Sequence, residues 1–483
     1  MIIVNSLPRW LLAAAGGSLL LLCAGCDPKD WVCWAPDGQH ALVRGADDTW
    51  LVDGSGKILG KATDARAWLP DSRRVIAVRA VKPRNWDEYA QLLGPERVEK
   101  TMDSAAHLLG IIRDDHGDWS KFGESEPYKT WEKAETGKTY NGGWLILSVF
   151  FYLQQTNAQV IAPILEAMPK DKKAWVEENF IPRIHEIVFR DAVPSGTQAE
   201  QLLARFPDEI RWVGASPNGQ VIAFAVEEPN RPALYVIPRS PDGHPVLVDE
   251  GVTEADWTPD GQNLVYAKTT VPYNLLAESM QLGTITSRRV CGSDGQVLAA
   301  LEPAKDLAGV LLGQSSTTRV ACLPDGRILF AAAPIRLPAI TANMPSHLTL
   351  YALRSAPTTT LESVVRPEDI PQLPDRVDRF SLSPDKKKVA MVNEQGHVSV
   401  VFLETGELRS LQETDVYPDS GKYTQLIPNW RNADEVTCVV PANDPAGDPA
   451  RAEVVLANVN GQKHAISKAW PDTAVKGLLL PND

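Results

Sequence analysis

A five-residue turn phrase recurs seven times along the chain, and it restricts the possible folds more than any other feature. In its complete form it ends in Pro-Asp-Gly, and a run of apolar residues follows each copy. The copies begin at Trp34, Trp68, Ala215, Trp257, Cys322, Leu382 and Trp430, the last in degenerate form. Proline fixes φ in such a turn, aspartate bonds its own backbone and glycine adopts positive φ. Each copy therefore predicts a tight turn between two strands.

The spacing of the copies predicts a β-propeller. Successive copies are separated by 34, 147, 42, 65, 60 and 48 residues, and a four-stranded propeller blade takes about 40–45 residues. A second hairpin follows each copy, with turns such as Thr405-Gly406 and Asn460-Gly461. In the second repeat this hairpin comes only after the long interval. The chain is therefore predicted to be all-β, a seven-bladed β-propeller over residues 31–483 with an α-helical insertion in blade two.

Residues 84–182 break the strand pattern and are predicted to form that insertion, between the second and third strands of blade two. The predicted helices run from Pro95 to Leu109 with Gly110 as the stop, from Trp144 to Leu153, from Val160 to Met168 and from Lys170 to Asn179. The second of these is apolar on all sides, which predicts a buried helix. The aromatic side chains of the insertion fit a bundle core, and the alternative is a surface that faces a partner or a membrane.

The repeated phrase resembles the Trp-Ser-Pro-Asp-Gly repeat of TolB-type β-propellers, which are related to the WD-repeat family. It also resembles the propeller half of prolyl oligopeptidase-like enzymes. The first resemblance implies a periplasmic protein that binds other envelope proteins through the disc. It implies no particular partner, because TolB carries its extra domain at the N-terminus and not inside a blade.

The N-terminal segment resembles the leader of a bacterial lipoprotein. Arg9 precedes an apolar run over 10–22, and Cys23-Ala-Gly-Cys26-Asp27 follows. The run is too short for a membrane-spanning helix, which needs about 20 apolar residues, and it is typical of a secretory signal peptide. The resemblance implies cleavage after residue 25, lipid attachment (diacylglycerol, with acyl chains such as palmitate) at Cys26, and a short tether over 26–30. The alternative is ordinary cleavage that leaves Cys26 unmodified.

Charge and cysteine usage narrow the range of ligands. The formal net charge is −13 at pH 7 and no basic stripe occurs, so nucleic acid is not an expected partner. Four cysteines follow the leader. Export permits disulfides, and the blade assignment allows Cys33–Cys438 and Cys291–Cys322, while the alternative is four buried thiols. No cysteine or histidine spacing matches a metal motif, so neither a metal nor a cofactor is expected.

Two polar patterns come close to metal sites without matching one. His185-Glu186 begins like His-Glu-x-x-His, but Phe189 stands where the second histidine would be and the segment is predicted to be a strand. The acidic cluster from Asp114 to Asp118 is predicted to be a polar loop between helices, and a cation site bound by oxygen atoms is the alternative.

Long loops are predicted in one topological position, between the second and third strands of a blade. They cover 269–286 in blade four, whose outer hairpin is predicted at 289–298, then 334–346 in blade five and 441–451 in blade seven. Because this position lies on one face of the disc, function is predicted there. The alternative is neutral drift of surface loops.

Two functions remain open from the sequence. The first is a non-catalytic, lipid-anchored envelope protein that binds an unidentified envelope protein through this face and the helical insertion. Its folded part would lie in the periplasm or at the cell surface. The second is a hydrolase or lyase that acts on a sugar or peptide in the central channel, for which a carboxylate pair about 5–10 Å apart is expected. No Gly-x-Ser-x-Gly motif occurs, and no catalytic residue is predicted.

Overall fold

The fold is seen in a computed structural model. It describes residues 31–45, 48–114, 126–136, 143–166, 181–192, 200–240, 242–269, 280–313, 319–334, 349–354, 361–363, 380–392, 396–413, 427–441, 452–468 and 470.

Twenty-eight strands and five helices occur in this part of the chain. The strands of blades one to three are β1 (Val32–Trp34), β2 (His40–Arg44), β3 (Thr49–Asp53), β4 (Ile58–Lys61), β5 (Ala65–Trp68), β6 (Arg74–Val81), β7 (Ile184–Asp191), β8 (Gln201–Phe206), β9 (Ile210–Ala215), β10 (Val221–Val226), β11 (Ala233–Pro238) and β12 (Val246–Glu250). Blades four and five hold β13 (Ala255–Trp257), β14 (Asn263–Thr269), β15 (Met280–Arg289), β16 (Lys305–Gly313), β17 (Val320–Cys322), β18 (Arg327–Pro334), β19 (Thr349–Arg354) and β20 (Leu361–Ser363). Blades six and seven hold β21 (Ser381–Leu382), β22 (Lys388–Val392), β23 (Val398–Phe402), β24 (Leu408–Gln412), β25 (Asn429–Trp430), β26 (Glu435–Pro441), β27 (Ala452–Asn458) and β28 (Lys463–Ala465).

These strands form seven antiparallel blades, each made of four strands that are consecutive in the chain. The first strands of neighbouring blades contact each other, as β1 does with β5 and β25, so the first strand of each blade is the innermost. Blades four and five are also joined into one sheet, because β16 pairs with β18. The predicted seven-bladed propeller is confirmed.

The antiparallel order gives the disc two different faces. The Pro-Asp-Gly turns and the turns between third and fourth strands lie at one end of the strands, which we call the turn face. The connections between second and third strands and the links between blades lie at the other end, which we call the insertion face. The two faces are separated by the length of a strand, about 17 Å for five residues.

The helical insertion leaves and re-enters blade two at one point of the insertion face, where Val81 pairs with Ile184. It contains α1 (Trp86–Leu93), α2 (Pro95–Asp114), α3 (Glu126–Thr136), α4 (Gly143–Thr156) and α5 (Ala158–Glu166), which we call the helical module. Helix α4 is buried on all sides in the core of this module, as its apolar sequence predicts. No helix among the described residues is long and apolar enough to span a bilayer.

The structure corrects the predicted end of α2. The helix does not stop at Gly110 but continues to Asp114. A glycine inside a helix costs only about 1 kcal/mol, and burial of Leu108 and Ile112 on either side of it offsets that cost. The helix predicted over 170–179 lies outside the described residues.

Blade four also differs from its prediction. Its third strand is β15 and its fourth is β16, whereas the predicted hairpin at 289–298 contains only one isolated bridge, between Cys291 and Val297. The Ser-Asp-Gly turn at 293–295 therefore lies in the connection between β15 and β16 and does not form the tip of a separate hairpin. The connection from β14 to β15 covers 270–279 and is shorter than the predicted 269–286. Like the long connections of blades five and seven, it lies outside the described residues.

Where the turn phrase begins with tryptophan, the indole connects its blade to the blade before it. The indole nitrogen of Trp68 donates to the carbonyl of Cys33 over 2.8 Å, and that of Trp430 donates to the carbonyl of Ser381 over 3.0 Å. Trp257 reaches the carbonyl of Gly214 over 3.5 Å. The tryptophan of the phrase thus stabilises the contact between two blades, in addition to its place beside the turn.

These distances lead to a first prediction. Trp68→Phe and Trp257→Phe remove the same atoms from equivalent positions, which are 7% and 6% exposed. Only Trp68 makes a short hydrogen bond. We therefore expect Trp68→Phe to lower the free energy of unfolding by about 0.5–1.5 kcal/mol more than Trp257→Phe. Urea unfolding of both variants measures the difference, and equal losses would show that the indole donor contributes nothing.

The ring closes between blades seven and one through side chains, because no strand from one end of the chain joins the sheet of the other end within the described residues. We call this contact the closing joint. It includes these hydrogen bonds: Trp31 Nε1 to Ile427 O at 3.0 Å, Trp34 Nε1 to Thr437 Oγ1 at 2.7 Å, Trp470 Nε1 to Gly56 O at 2.7 Å and Arg431 Nε to Gly38 O at 3.1 Å. An apolar cluster that includes Trp31, Val52 and Leu456 surrounds them.

Candidate functional site

Helix α1 begins with side chains that also fix it to the blade beneath it. The side chain of Asn85 caps the helix by accepting from Glu88 N over 2.9 Å, and the Glu88 carboxylate accepts from Arg84 N over 2.6 Å. This reciprocal arrangement is similar to a capping box, with the difference that the glutamate bonds the N–H of the residue before the cap. The same carboxylate accepts from Arg205 of β8 over 2.8 Å. One glutamate therefore both starts the helix and attaches it to blade two.

An ion-pair network continues across blade two below the module. Glu186 of β7 accepts from Arg79 of β6 over 2.7 Å and from Arg205 over 3.0 Å. Arg79 also pairs with Glu200 over 2.6 Å. Because neighbouring strands place opposite charges side by side, the blade end under the module is held in one arrangement. Glu186, from the incomplete His-Glu motif, thus has a structural role on a strand.

A bidentate ion pair also attaches the module to the disc. Both terminal nitrogens of Arg97 on α2 donate to the carboxylate of Asp208, over 2.6 and 2.9 Å. The two side chains are only 19% and 5% exposed. The guanidinium also lies 4.3 Å from the ring centre of Trp144 on α4. Burial alone would lower the pKa of Arg97, but Asp208 outweighs it and raises that pKa.

Asp208 lies in the link between β8 and β9, so this ion pair attaches the module to the junction of blades two and three. Charged pairs of this geometry are directional and hold both partners in register. The module is therefore a fixed part of the insertion face.

The outer side of the module carries an acidic cleft of about 450 Å³ between α2 and α3. It is lined by Glu96, Glu99, Lys100, Asp103, Ser104, His107 and Glu135. Four of these side chains are acidic and one is a lysine, so the cleft disfavours anionic ligands.

Behind this cleft, Glu132 of α3 is buried next to Tyr128. Burial raises the pKa of Glu132 from 4.5 to about 7. Because the folded protein holds this proton more tightly than the unfolded chain does, its contribution to stability is complete below about pH 4.5. That contribution is lost as the pH rises through 7.

We therefore expect the module to be less stable at about pH 8 than at about pH 5. Glu132→Gln, which is neutral at every pH, should make the module's hydrogen exchange independent of pH in that window after correction for the intrinsic rate. Glu126→Gln is the matched control, because that side chain is 84% exposed and should leave the profile unchanged. An unaltered profile in Glu132→Gln would contradict the assignment.

Two carboxylates near the central channel bear on the alternative catalytic hypothesis. Glu254 and Asp256 are two residues apart at β13, which places their Cα atoms about 7 Å apart. Glu254 pairs with Arg319 of blade five over 2.8 Å, and Asp256 accepts from Cys322 N over 2.8 Å. Burial raises the pKa of Asp256. Both carboxylates are thus engaged in the contact between blades four and five.

The cysteines form no disulfide among the described residues. Cys291, Cys322 and Cys438 carry free thiols, so neither of the two allowed bridges, Cys33–Cys438 and Cys291–Cys322, is formed in the structure. Three of the four are buried, and burial raises the pKa of Cys438 to about 12 and that of Cys291 to about 11. These three pack as small apolar side chains in the clusters between blades.

No three histidine, cysteine, aspartate or glutamate side chains lie close enough to bind a metal ion, within the part of the chain that the structure describes. The acidic cluster that begins at Asp114 lies outside the described residues from 115 onward, and so does Cys26.

Sequence reasoning missed the charged pairs that attach the module. Arg97 and Asp208 are 111 residues apart, and no local pattern connects them. The capping box could have been found, because Asn85 and Glu88 have its spacing.

No protein-family model matches the chain, and no curated protein matches it. Among solved structures, TolB from Acinetobacter baumannii is similar at 14% identity over 64% of this chain and 67% of that chain, with a TM-score of 0.37. A prolyl endopeptidase is similar at 14% identity over 72% of this chain and 49% of that chain, with a TM-score of 0.39. The β-propeller domain of Cps50 (Swd1) from Myceliophteria thermophila is similar at 9% identity over 90% of this chain and 95% of that chain, with a TM-score of 0.40. TolB is thus among the similar structures, as the turn phrase implies, while the number of blades is established by the strand pairing itself.

Proposed function

We propose that this protein is a non-catalytic, lipid-anchored component of the bacterial cell envelope that binds a protein partner through its insertion face. The observation that carries the proposal is the concentration of added structure on this face. The helical module lies there, whereas the longest described connection on the turn face is the segment 290–304 between β15 and β16. A rigid scaffold that presents elaborated loops on one side is typical of binding proteins.

The attachment of the module supports the same function. A binding surface loses less entropy on association when it is fixed beforehand. Arg97–Asp208 and Glu88–Arg205 fix the module to blades two and three. The channel carboxylates Glu254 and Asp256 are engaged between blades, which gives the catalytic alternative no support.

Lipid anchoring rests on the leader segment and Cys26. Two or more acyl chains hold a protein at a bilayer through burial of about 0.8 kcal/mol per CH₂ group. The full chain made in a bacterial host should therefore fractionate with membranes and carry a diacylglycerol mass. The Cys26→Ser variant should lose both properties, and a variant that keeps them would overturn the anchor.

Partner binding is tested by affinity capture from membranes, with charge reversals that leave the fold intact. Glu99→Lys combined with Asp103→Lys alters the exposed side of the module, whereas Glu404→Lys alters a residue on the turn face. We expect the module variant to lose a captured protein that the control retains. A chain without residues 84–182 should lose it as well. Capture unchanged in all variants would remove the insertion face from the proposal.

A further inference from the structure

The first strand of the ring starts on the insertion face. Arg44 is the last residue of β2, where the chain leaves for the connection to β3, and its N–H donates to the carbonyl of Trp31 over 2.8 Å. The indole of Trp31 donates to Ile427, just before β25. Trp31 is therefore fixed at the insertion-face end of the innermost strands.

The chain between Cys26 and Trp31 is short. Five residue steps reach at most about 17 Å when fully extended. The way from Trp31 to the turn face is longer. A path over the surface first runs outward across the three strand spacings of a blade to the rim of the disc, about 14 Å. It then runs along the outermost strand to the turn face, which makes about 30 Å in all. A lipid on Cys26 therefore cannot bring the turn face to the bilayer.

On the basis of the lipid anchor proposed above, we propose that the insertion face, with the helical module, is held facing the membrane. The partner that this face binds is then a protein embedded in or attached to the same membrane, and the turn face points away from it. The tether sets this orientation. The acidic side chains Glu96, Glu99, Asp103 and Glu135 would be repelled by anionic headgroups, so adsorption of the module to lipid does not contribute.

Energy transfer to the bilayer surface tests this orientation. The full lipidated chain, purified from bacterial membranes, is reconstituted into vesicles of phosphatidylethanolamine and phosphatidylglycerol that contain a headgroup acceptor. A donor is attached at Lys82→Cys on the insertion face or at Glu404→Cys on the turn face, and both parent residues are at least partly accessible to solvent. We expect transfer at least about twofold higher from position 82, because the faces differ by a strand length, about 17 Å. The unsubstituted chain corrects for labelling of native cysteines.

A variant with about twenty glycine and serine residues inserted between Pro28 and Lys29 is the matched control. Such a linker spans about 25 Å on average, which lets the disc turn over, so the difference between the two positions should disappear. A difference that persists would show that the face adsorbs to lipid, and it would overturn the role of the tether. Equal transfer from both positions in the native tether would overturn the orientation alone. A chain that fails to float with the vesicles would overturn the anchor and the orientation together.

Discussion

Gly56→Ala is expected to lower the free energy of unfolding by about 2–5 kcal/mol, because the residue lies at the closing joint with no room for a side chain. Its φ is 87°, a conformation that costs any residue with a Cβ about 1–2 kcal/mol. In addition, a Cβ at this position would lie 2.1 Å from the carbonyl oxygen of Ile466 in blade seven. Relief of that overlap requires the two blades to separate, and overpacking of this kind costs about 1–3 kcal/mol.

Gly461→Ala separates the two contributions. Gly461 lies in the corresponding turn of blade seven with a φ of 91°, and no described atom lies within 4 Å of the position that a Cβ would occupy there. The free energy of unfolding of Gly461→Ala should therefore fall only by the cost of the backbone conformation, about 1–2 kcal/mol. Denaturant unfolding measures both variants. If Gly56→Ala cost no more than Gly461→Ala, the contact between blades one and seven would not limit the stability of the ring.

Arg97→Ala is expected to release the helical module from the disc. Removal of one partner from a buried ion pair leaves the other charge without compensation, which costs about 3–5 kcal/mol. Asp208 is 5% exposed and would be that charge. Hydrogen exchange should accelerate in α1 and α2 while the strands of blades five to seven keep their protection. Limited proteolysis should then cleave within the module before it cleaves the propeller.

Two further variants show whether the effect belongs to this ion pair. Arg84→Ala removes a guanidinium that is 85% exposed, at 3.4 Å from Glu88, and such surface pairs contribute about 0–1 kcal/mol. Arg97→Met combined with Asp208→Leu replaces both charges by apolar side chains and should be less destabilising than Arg97→Ala alone. If the double variant lost as much stability as the single variants Arg97→Met and Asp208→Leu lose together, packing and not the charge pair would hold the module.

The parts of the fold that depend on local chemistry could be predicted from the sequence. The Pro-Asp-Gly turns and the strands beside them follow from φ preferences and alternation, and they lead to the seven blades and the place of the insertion. Helix α4 is predictable because its apolar residues leave no polar face. The prediction for blade four was wrong because the turn signal at 293–295 is typical of a hairpin, whereas the strands that flank it, β15 and β16, pair at a greater distance along the chain.

Less of the candidate site could be predicted from the sequence. The place of the helical module could be predicted, because the strand pattern is interrupted between the second and third strands of blade two. The pairs that fix the module could not, since Arg97 meets Asp208 only after blades two and three have formed. The position of Trp31 on the insertion face likewise depends on the closed ring, in which it bonds to a residue 396 positions away.

The closing joint has a mechanical consequence. A tensile load applied to the N-terminal end acts first on β1, which is three residues long. No described strand of blade one pairs with a strand of blade seven. The load would have to break the Trp31 and Trp34 hydrogen bonds to blade seven before it strains any other pair of blades. Under tension the ring would therefore open at the closing joint, and the other blades would then unfold one after another, starting from blade one.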